Sequence, residues 1–192
     1  LKCNQIIYYE FELCGGNVAL NKNIMETERL FLRRFAMDDL DDLHQILGNE
    51  KVMEFSLTGA KSLEQTKKFL KKVLENQQVK NDNLGFFAII SKNHKKLIGY
   101  LGLISQNVDN VDRIELTYRL NPQYWGQGFV PETTKAVTKY AKSLGIPEII
   151  SIIEAENKNS IRVAEKLGMT IEKETTFESI PVIIYKINLR LR

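Results

Sequence analysis

The stretch Asn121-Pro122-Gln123-Tyr124-Trp125-Gly126-Gln127-Gly128-Phe129-Val130-Pro131 constrains this chain more than any other, because it lies between a strand-like run and a helical pattern. A backbone that leaves a strand, turns on two glycines one residue apart and enters a helix passes through left-handed conformations that glycine adopts at low cost. Such a turn can aim successive N–H groups into one concavity at the positive end of the helix, where a pyrophosphate would be stabilised. The segment is not a Walker loop, since no Gly-Lys-Ser/Thr follows, and it lacks the third glycine of the dinucleotide fingerprint. Taken alone, it fits equally well a tight turn with a helix cap.

The flanking sequence supplies the rest of a domain. Residues 30–35 read as a strand, and 38–47 as a helix whose acidic start, Asp38 to Asp42, suits a helix N-terminus. Residues 62–78 read as a second helix, with Ser62 and Gln65 as a capping box and Leu63, Leu70, Val73 and Leu74 at helical spacing. Its lysines, Lys67, Lys68, Lys71 and Lys72, form a solvated face. Residues 85–91, 97–104 and 113–120 read as three strands of an antiparallel meander, the first two joined by the polar turn Lys92 to Lys96. A helix over 131–143 follows, with Pro131 in its first turn and Gly145 at its C-terminal cap. Residues 148–154 then read as a buried strand, 160–167 as a short helix ended by Gly168, and 169–174 and 182–189 as closing strands. This order predicts a mixed α/β (α+β) fold. With 192 residues, 43% of them hydrophobic, and no internal linker, a single core suffices.

Composition excludes several functions. Lys and Arg number 27 against 24 Asp and Glu, and the net charge of +3 is spread along the chain, which argues against direct DNA binding. Cys3 and Cys14 have no histidine near them, and His44 and His94 have no partners at ligand spacing, so no metal is predicted. Apolar runs such as 149–153 fall far short of the roughly 20 residues that cross a bilayer. The first 23 residues lack a secretory pattern, and a cytoplasmic location is expected. Met25-Glu26-Thr27-Glu28-Arg29-Leu30 reads as a natural start, making 1–24 an N-terminal extension without an assigned role and 25–192 the domain.

Gln123-Tyr124-Trp125-Gly126-Gln127-Gly128 resembles the acetyl-CoA pyrophosphate loop, Gln-x-x-Gly-x-Gly, of the Gcn5-related N-acetyltransferases, the GNAT family. Asn157-Lys158-Asn159-Ser160, with Lys166-Leu167-Gly168-Met169, resembles that family's Asn-x-x-Ser helix and its end. Glu115-Leu116-Thr117-Tyr118-Arg119-Leu120-Asn121-Pro122 and Thr27-Glu28-Arg29-Leu30 are similar to the RimJ/RimL branch, which acetylates ribosomal-protein N-termini. The resemblance spans about residues 25 to 190. It implies a single domain with a central, mostly antiparallel twisted sheet, splayed at the acetyl-CoA site and flanked by helices.

The resemblance further implies acetyl-CoA as the acetyl donor. Tyr118, Arg119 and Leu120 would hold the pantetheine arm through their backbone, Gln123, Trp125, Gly126, Gln127, Gly128, Phe129 and Val130 would form the pyrophosphate loop, and Asn157 would bond the pantetheine. A backbone N–H near Tyr118 to Leu120 would stabilise the developing oxyanion, a contact worth roughly 3 kcal/mol. Glu115 is the candidate base, acting through water, and Ser160 the candidate donor to the departing sulfur. Many members place a tyrosine acid seven residues after the motif asparagine, where this chain has Ala164. Either Ser160 substitutes or the thiolate, with a pKa near 8.5, leaves unaided.

The leading acceptor is a protein N-terminal α-amine, whose pKa of about 8 makes it easier to deprotonate than a lysine at about 10.4. A small amine such as an aminoglycoside, polyamine or amino acid, and a non-catalytic acyl-CoA-binding module, are the alternatives. The acceptor pocket is expected from the first two helices, the loop at 55–60 and the region 177–182; monomer and homodimer both stay open. Competing structural readings pair Glu115 with Arg113, Arg119 or a lysine across the sheet, and make Ser160 a helix cap.

Overall fold

Backbone pairing turns the alternating runs into one eight-stranded sheet. In the computed structural model, which describes residues 25–79 and 83–190, the elements are β1 (Met25–Glu26), β2 (Leu30–Arg33), α1 (Leu40–Leu47), α2 (Glu50–Met53), α3 (Leu63–Val79), β3 (Gly85–Ser91), β4 (Lys96–Val108), β5 (Val111–Leu120), α4 (Phe129–Ser143), β6 (Glu148–Ile153), α5 (Lys158–Lys166), β7 (Thr170–Phe177) and β8 (Ile180–Asn188). The extension expected over 1–24, with both cysteines, lies outside the described residues. The sheet order is β1-β2-β3-β4-β5-β6-β8-β7. Every neighbouring pair is antiparallel except β5 and β6, which are parallel and joined through α4.

Each face of the sheet buries a different set of helices. Leu30, Leu32, Phe87, Ile98, Leu101, Leu103, Leu116 and Leu120 pack with Phe129, Val137 and Ala141 of α4. On the opposite face, Ala88, Leu97 and Tyr100 pack with Leu43, Ile46 and Leu47 of α1, Val52 and Met53 of α2, and Leu70 and Val73 of α3. The capping box of α3 forms as the spacing predicts: Gln65 N donates to Ser62 Oγ at 3.3 Å, and Ser62 N donates to Gln65 Oε1 at 2.8 Å. No helix among the described residues is long and apolar enough to cross a membrane.

The structure departs from the sequence reading where backbone hydrogen bonds outweigh side-chain pattern. β4 continues past residue 104 through the polar Ser105, Gln106 and Asn107, and meets β5 in a two-residue turn at Asp109 and Asn110, whose φ values are 52° and 64°. Left-handed Asp and Asn suit such a hairpin turn. Glu178 and Ser179, with φ of 47° and 68°, likewise join β7, extended to Phe177, to β8. α4 begins at Phe129 rather than Pro131, because Gly128, at φ 79°, is its N-cap. The short α2, capped by the Asn49 side chain, spans too few residues to show a hydrophobic period.

Gly99 of β4 faces Leu120 of β5. A Cβ at Gly99 would lie 2.6 Å from the Arg119 carbonyl oxygen and 2.7 Å from Leu120 Cδ1. Gly99→Ala is therefore expected to destabilise the fold by about 1–3 kcal/mol, read as a lowered denaturation midpoint in urea.

Candidate active site

Strand alternation assigns each β5 residue to one side of a cleft. The tight turn after Val108 makes Val108 and Val111 a hydrogen-bonded pair, and every second pair along the hairpin follows, up to Tyr100 and Arg119. Leu116, Tyr118 and Leu120 therefore turn their backbone groups away from β4, toward β6. β6 meets β5 only through Glu115 and Ile150. Ser151 Oγ donates to the Leu116 carbonyl at 3.0 Å, and beyond this point the strands part. The Tyr118 carbonyl accepts from Arg119 Nη1 at 2.9 Å and the Leu120 carbonyl from Trp125 Nε1 at 2.7 Å. The N–H groups of Tyr118 and Leu120 face the opening.

The opening is a cleft of about 370 Å³ whose walls include Glu115, Tyr118, Arg119, Asn157 and Ser160, so five of the residues singled out in the sequence meet there. Phe55 to Thr58 and the closing strands, at Phe177, Ile180 and Val182, also line it, as expected. α1 and α3 do not, contrary to expectation: their apolar faces are spent on β3 and β4.

Burial raises Glu115 from 4.5 to about 7, with the positive charge of Arg119 partly opposing the shift. Among the described residues no cation lies within 4 Å of it, because Arg113, its alternative partner, holds Glu148 at 2.6 Å and Glu172 at 3.1 Å. Burial also raises the Tyr118 phenol, and the Ser160 side chain beside it opposes the shift in part. Asn157, not Ser160, caps α5: its Oδ1 accepts from Ser160 N at 3.1 Å. The Ser160 hydroxyl thus faces Tyr118 instead of closing a helix end. Ala164, one turn further along α5, is 3% exposed and also lines the cleft.

Beside the cleft, Gly126 and Gly128 adopt φ of 73° and 79°, and a Cβ at Gly126 would meet nothing within 4 Å. Among the described residues the N–H groups from Gly126 to Val130 find no turn or loop hydrogen bond, and they lie at the positive end of α4. The neighbouring side chains do structural work. Trp125 bonds the Leu120 carbonyl, Gln127 Nε2 bonds the Gln123 carbonyl at 2.9 Å, and Phe129 and Val130 pack into the core. Gln127 and Phe129 line a second cavity, with Arg29 and the turn 91–94, whereas Leu120, Gln123, Trp125, Gly126, Gly128 and Val130 line neither.

Sequence reasoning missed what holds this loop. Arg29 Nη1 donates to the Gln127 carbonyl at 3.0 Å, its Nε to Glu132 Oε2 at 2.7 Å, and its guanidinium stacks 4.3 Å from the Phe129 ring centroid. The Arg29 N–H and the Thr27 hydroxyl both donate to Glu132 Oε1. The Thr27-Glu28-Arg29-Leu30 motif was visible, but its partner stands 103 residues away in sequence. The side chains of Tyr118 and Arg119 were also passed over, although period-two alternation already places Arg119 on the face of Glu115.

Parted parallel strands, with a two-glycine helix start beside them, form a cleft with the layout that the resemblance implies for acetyl-CoA. The acetyltransferase (GNAT) domain model matches residues 29–170, and the chain belongs to that family, with acetyl-CoA as its co-substrate. It is 28% identical over 147 residues to the uncharacterized N-acetyltransferase YnaD of Bacillus subtilis, covering 76% of this chain and 82% of that one. A GNAT-family acetyltransferase structure from Bacillus anthracis superposes with a TM-score of 0.74 at 24% identity, covering 87% and 99% of the two chains. An acetyltransferase of Salmonella typhimurium that modifies the N-terminal serine of a 50S ribosomal subunit protein gives 0.72 at 20% identity, covering 86% and 99%. The open N–H groups and the space at Gly126 fit the arm and pyrophosphate of acetyl-CoA.

Two outcomes follow from this geometry. Arg29→Ala, which frees the loop from α4, is expected to weaken acetyl-CoA binding about tenfold with little change in saturated turnover, measured by calorimetric titration and steady-state kinetics. The folded state holds a proton on Glu115 that the unfolded state has lost between pH 4.5 and about 7, so its contribution to stability falls as pH rises across that window. Glu115→Gln is expected to flatten this fall and gain up to about 3 kcal/mol at pH 8, read from denaturation curves at both ends of the window.

Proposed function

We propose that the protein transfers an acetyl group from acetyl-CoA directly to a primary amine, and that the leading acceptor is a protein N-terminal α-amine, as in the RimJ/RimL branch. The observation that carries this reading is Glu115: an unpaired carboxylate in the cleft, three residues from the open N–H of Tyr118, with its pKa raised to about 7. A base in that range removes a proton from an α-ammonium far more readily than an ordinary carboxylate does. The likeness to the Salmonella typhimurium enzyme supports the N-terminal acceptor.

In this reading one backbone N–H of β5, at Tyr118 or Leu120, bonds the acyl oxygen as negative charge gathers on it, and the other is left to the pantetheine arm. Glu115 accepts the amine proton through water while nitrogen bonds to the acyl carbon. As the carbon–sulfur bond breaks, Ser160, backed by the Tyr118 phenol, supplies a proton to the thiolate. Tyr118 thereby brings a phenol to the helix whose usual tyrosine position is Ala164. Trp125 and Arg119 hold the β5 carbonyls in place, and Asn157 keeps its Nδ2 for the arm while its Oδ1 caps α5.

The test is thiol release from acetyl-CoA across a panel of N-terminal peptides and small amines. Peptide turnover is expected to rise with pH through about 7 and level off above it, because Glu115 acts only when deprotonated. Glu115→Gln should lose about a hundredfold in kcat, together with that rising limb, while still binding acetyl-CoA. Turnover confined to small amines would overturn the N-terminal acceptor, and binding with no turnover on any amine would overturn the catalytic reading.

A further inference from the structure

One cation in the cleft holds no anion. Arg29 binds Glu132, Arg33 binds Asp39, and Arg113 binds Glu148 and Glu172, each within 3.1 Å. Arg119 lines the cleft with no carboxylate within 4 Å among the described residues. Its Nη1 bonds the neutral Tyr118 carbonyl, and its Nε is buried without a partner. A buried guanidinium donor left unpaired is costly, and the five donors of arginine form a planar fork that matches a carboxylate.

The position of Arg119 indicates which ligand it serves. Arg119 and Glu115 lie on one face of β5, opposite Tyr100 and Ile104 of β4. That face looks away from α4, whose N-terminus and glycine loop are suited to the cofactor's phosphates. The loop at Phe55 to Thr58 borders the cleft, along with Phe86 and Tyr100, whose rings meet edge-on at 5.7 Å. The guanidinium bonds the Tyr118 carbonyl, and its charge is felt at Glu115. The acceptor side of the cleft therefore has a base for an amine, aromatic walls, and a cation awaiting an anion.

We propose that the acceptor carries a carboxylate close to its reacting amine, and that Arg119 binds this carboxylate and so selects the acceptor. This rests on the reading of the cleft as an acetyl-transfer site. The same chemistry has two sources: the side chain of an acidic N-terminal residue on a peptide, or the free α-carboxylate of an amino acid.

The experiment compares kcat/KM for peptides beginning with Asp or Glu against twins beginning with Asn or Gln, and for free amino acids against their amides. It uses the full chain, Arg119→Gln and Arg119→Lys, with acetyl-CoA titrations and melting curves alongside. The parent protein is expected to favour the carboxylate member of a pair about tenfold or more, and the pair that shows the preference identifies the source. In Arg119→Gln the advantage should vanish, and Arg119→Lys, which keeps the charge but not the fork, should retain part of it. Should Arg119→Gln melt early, the partial preference of Arg119→Lys still gives the answer. Turnover of amines with no carboxylate preference in the parent overturns this inference and leaves acetyl transfer standing. A uniform loss on all acceptors with weakened acetyl-CoA binding assigns Arg119 to the cofactor and likewise overturns it. No turnover on any amine overturns both readings.

Discussion

The site depends on an incomplete pairing. β5 and β6 run parallel and meet through Glu115 and Ile150, then separate once the Ser151 hydroxyl has taken the Leu116 carbonyl. Backbone groups in a sheet interior need partners, so an opening of this kind persists only where something else satisfies them. Here the Arg119 and Trp125 side chains take the carbonyls of Tyr118 and Leu120. The N–H groups remain for a ligand that can lie along β5 as a strand would. In the proposed reading acetyl-CoA takes this preformed edge, which lowers the ordering that binding must overcome.

A second constraint acts across the sheet edge. Thr27 and Arg29, at the first strands of the described chain, converge on Glu132 in the opening turn of α4, and Arg29 also holds the Gln127 carbonyl between the two loop glycines. Glycines give the loop its left-handed turns but no stiffness of their own. Stiffness comes from arginine and glutamate, and a carboxylate in the first turn also suits the helix dipole. The open edge of β5 and the two-glycine loop are thus each held by an arginine, Arg119 in one case and Arg29 in the other.

Much of the architecture was legible from residue spacing. Strand-like runs around a polar turn gave the meander, helical spacing gave α3, the acidic start at 38–42 gave α1, and Pro131 and Gly145 marked α4. Capping residues set the ends of α3 and the stop at Gly145. The hairpin extension through Gln106 and Asn107 was hidden because a polar run looks like a loop, although backbone pairing is indifferent to side-chain polarity. Boundaries at Phe129 and Lys158 moved because the caps, Gly128 and Asn157, precede the residues that had seemed to begin each helix. In the site, Glu115, Asn157 and Ser160 could be named from motifs, and the structure brings them into one cleft. Asn157, rather than Ser160, proved to be the cap.

By itself the sequence determined the element order, the two-glycine turn before α4 and the acetyltransferase family, because these follow from local periodicity, local backbone preference and motifs read in order. Only the tertiary structure decided that Tyr118 reaches Ser160, that Arg29 closes on Glu132, and that Arg119 enters the cleft without an anion. Those relations join residues 40 to about 100 positions apart, or depend on which face of β5 turns toward an opening. Burial and electrostatic environment, which raise Glu115 to about 7, arise only when distant segments exclude water from the same place.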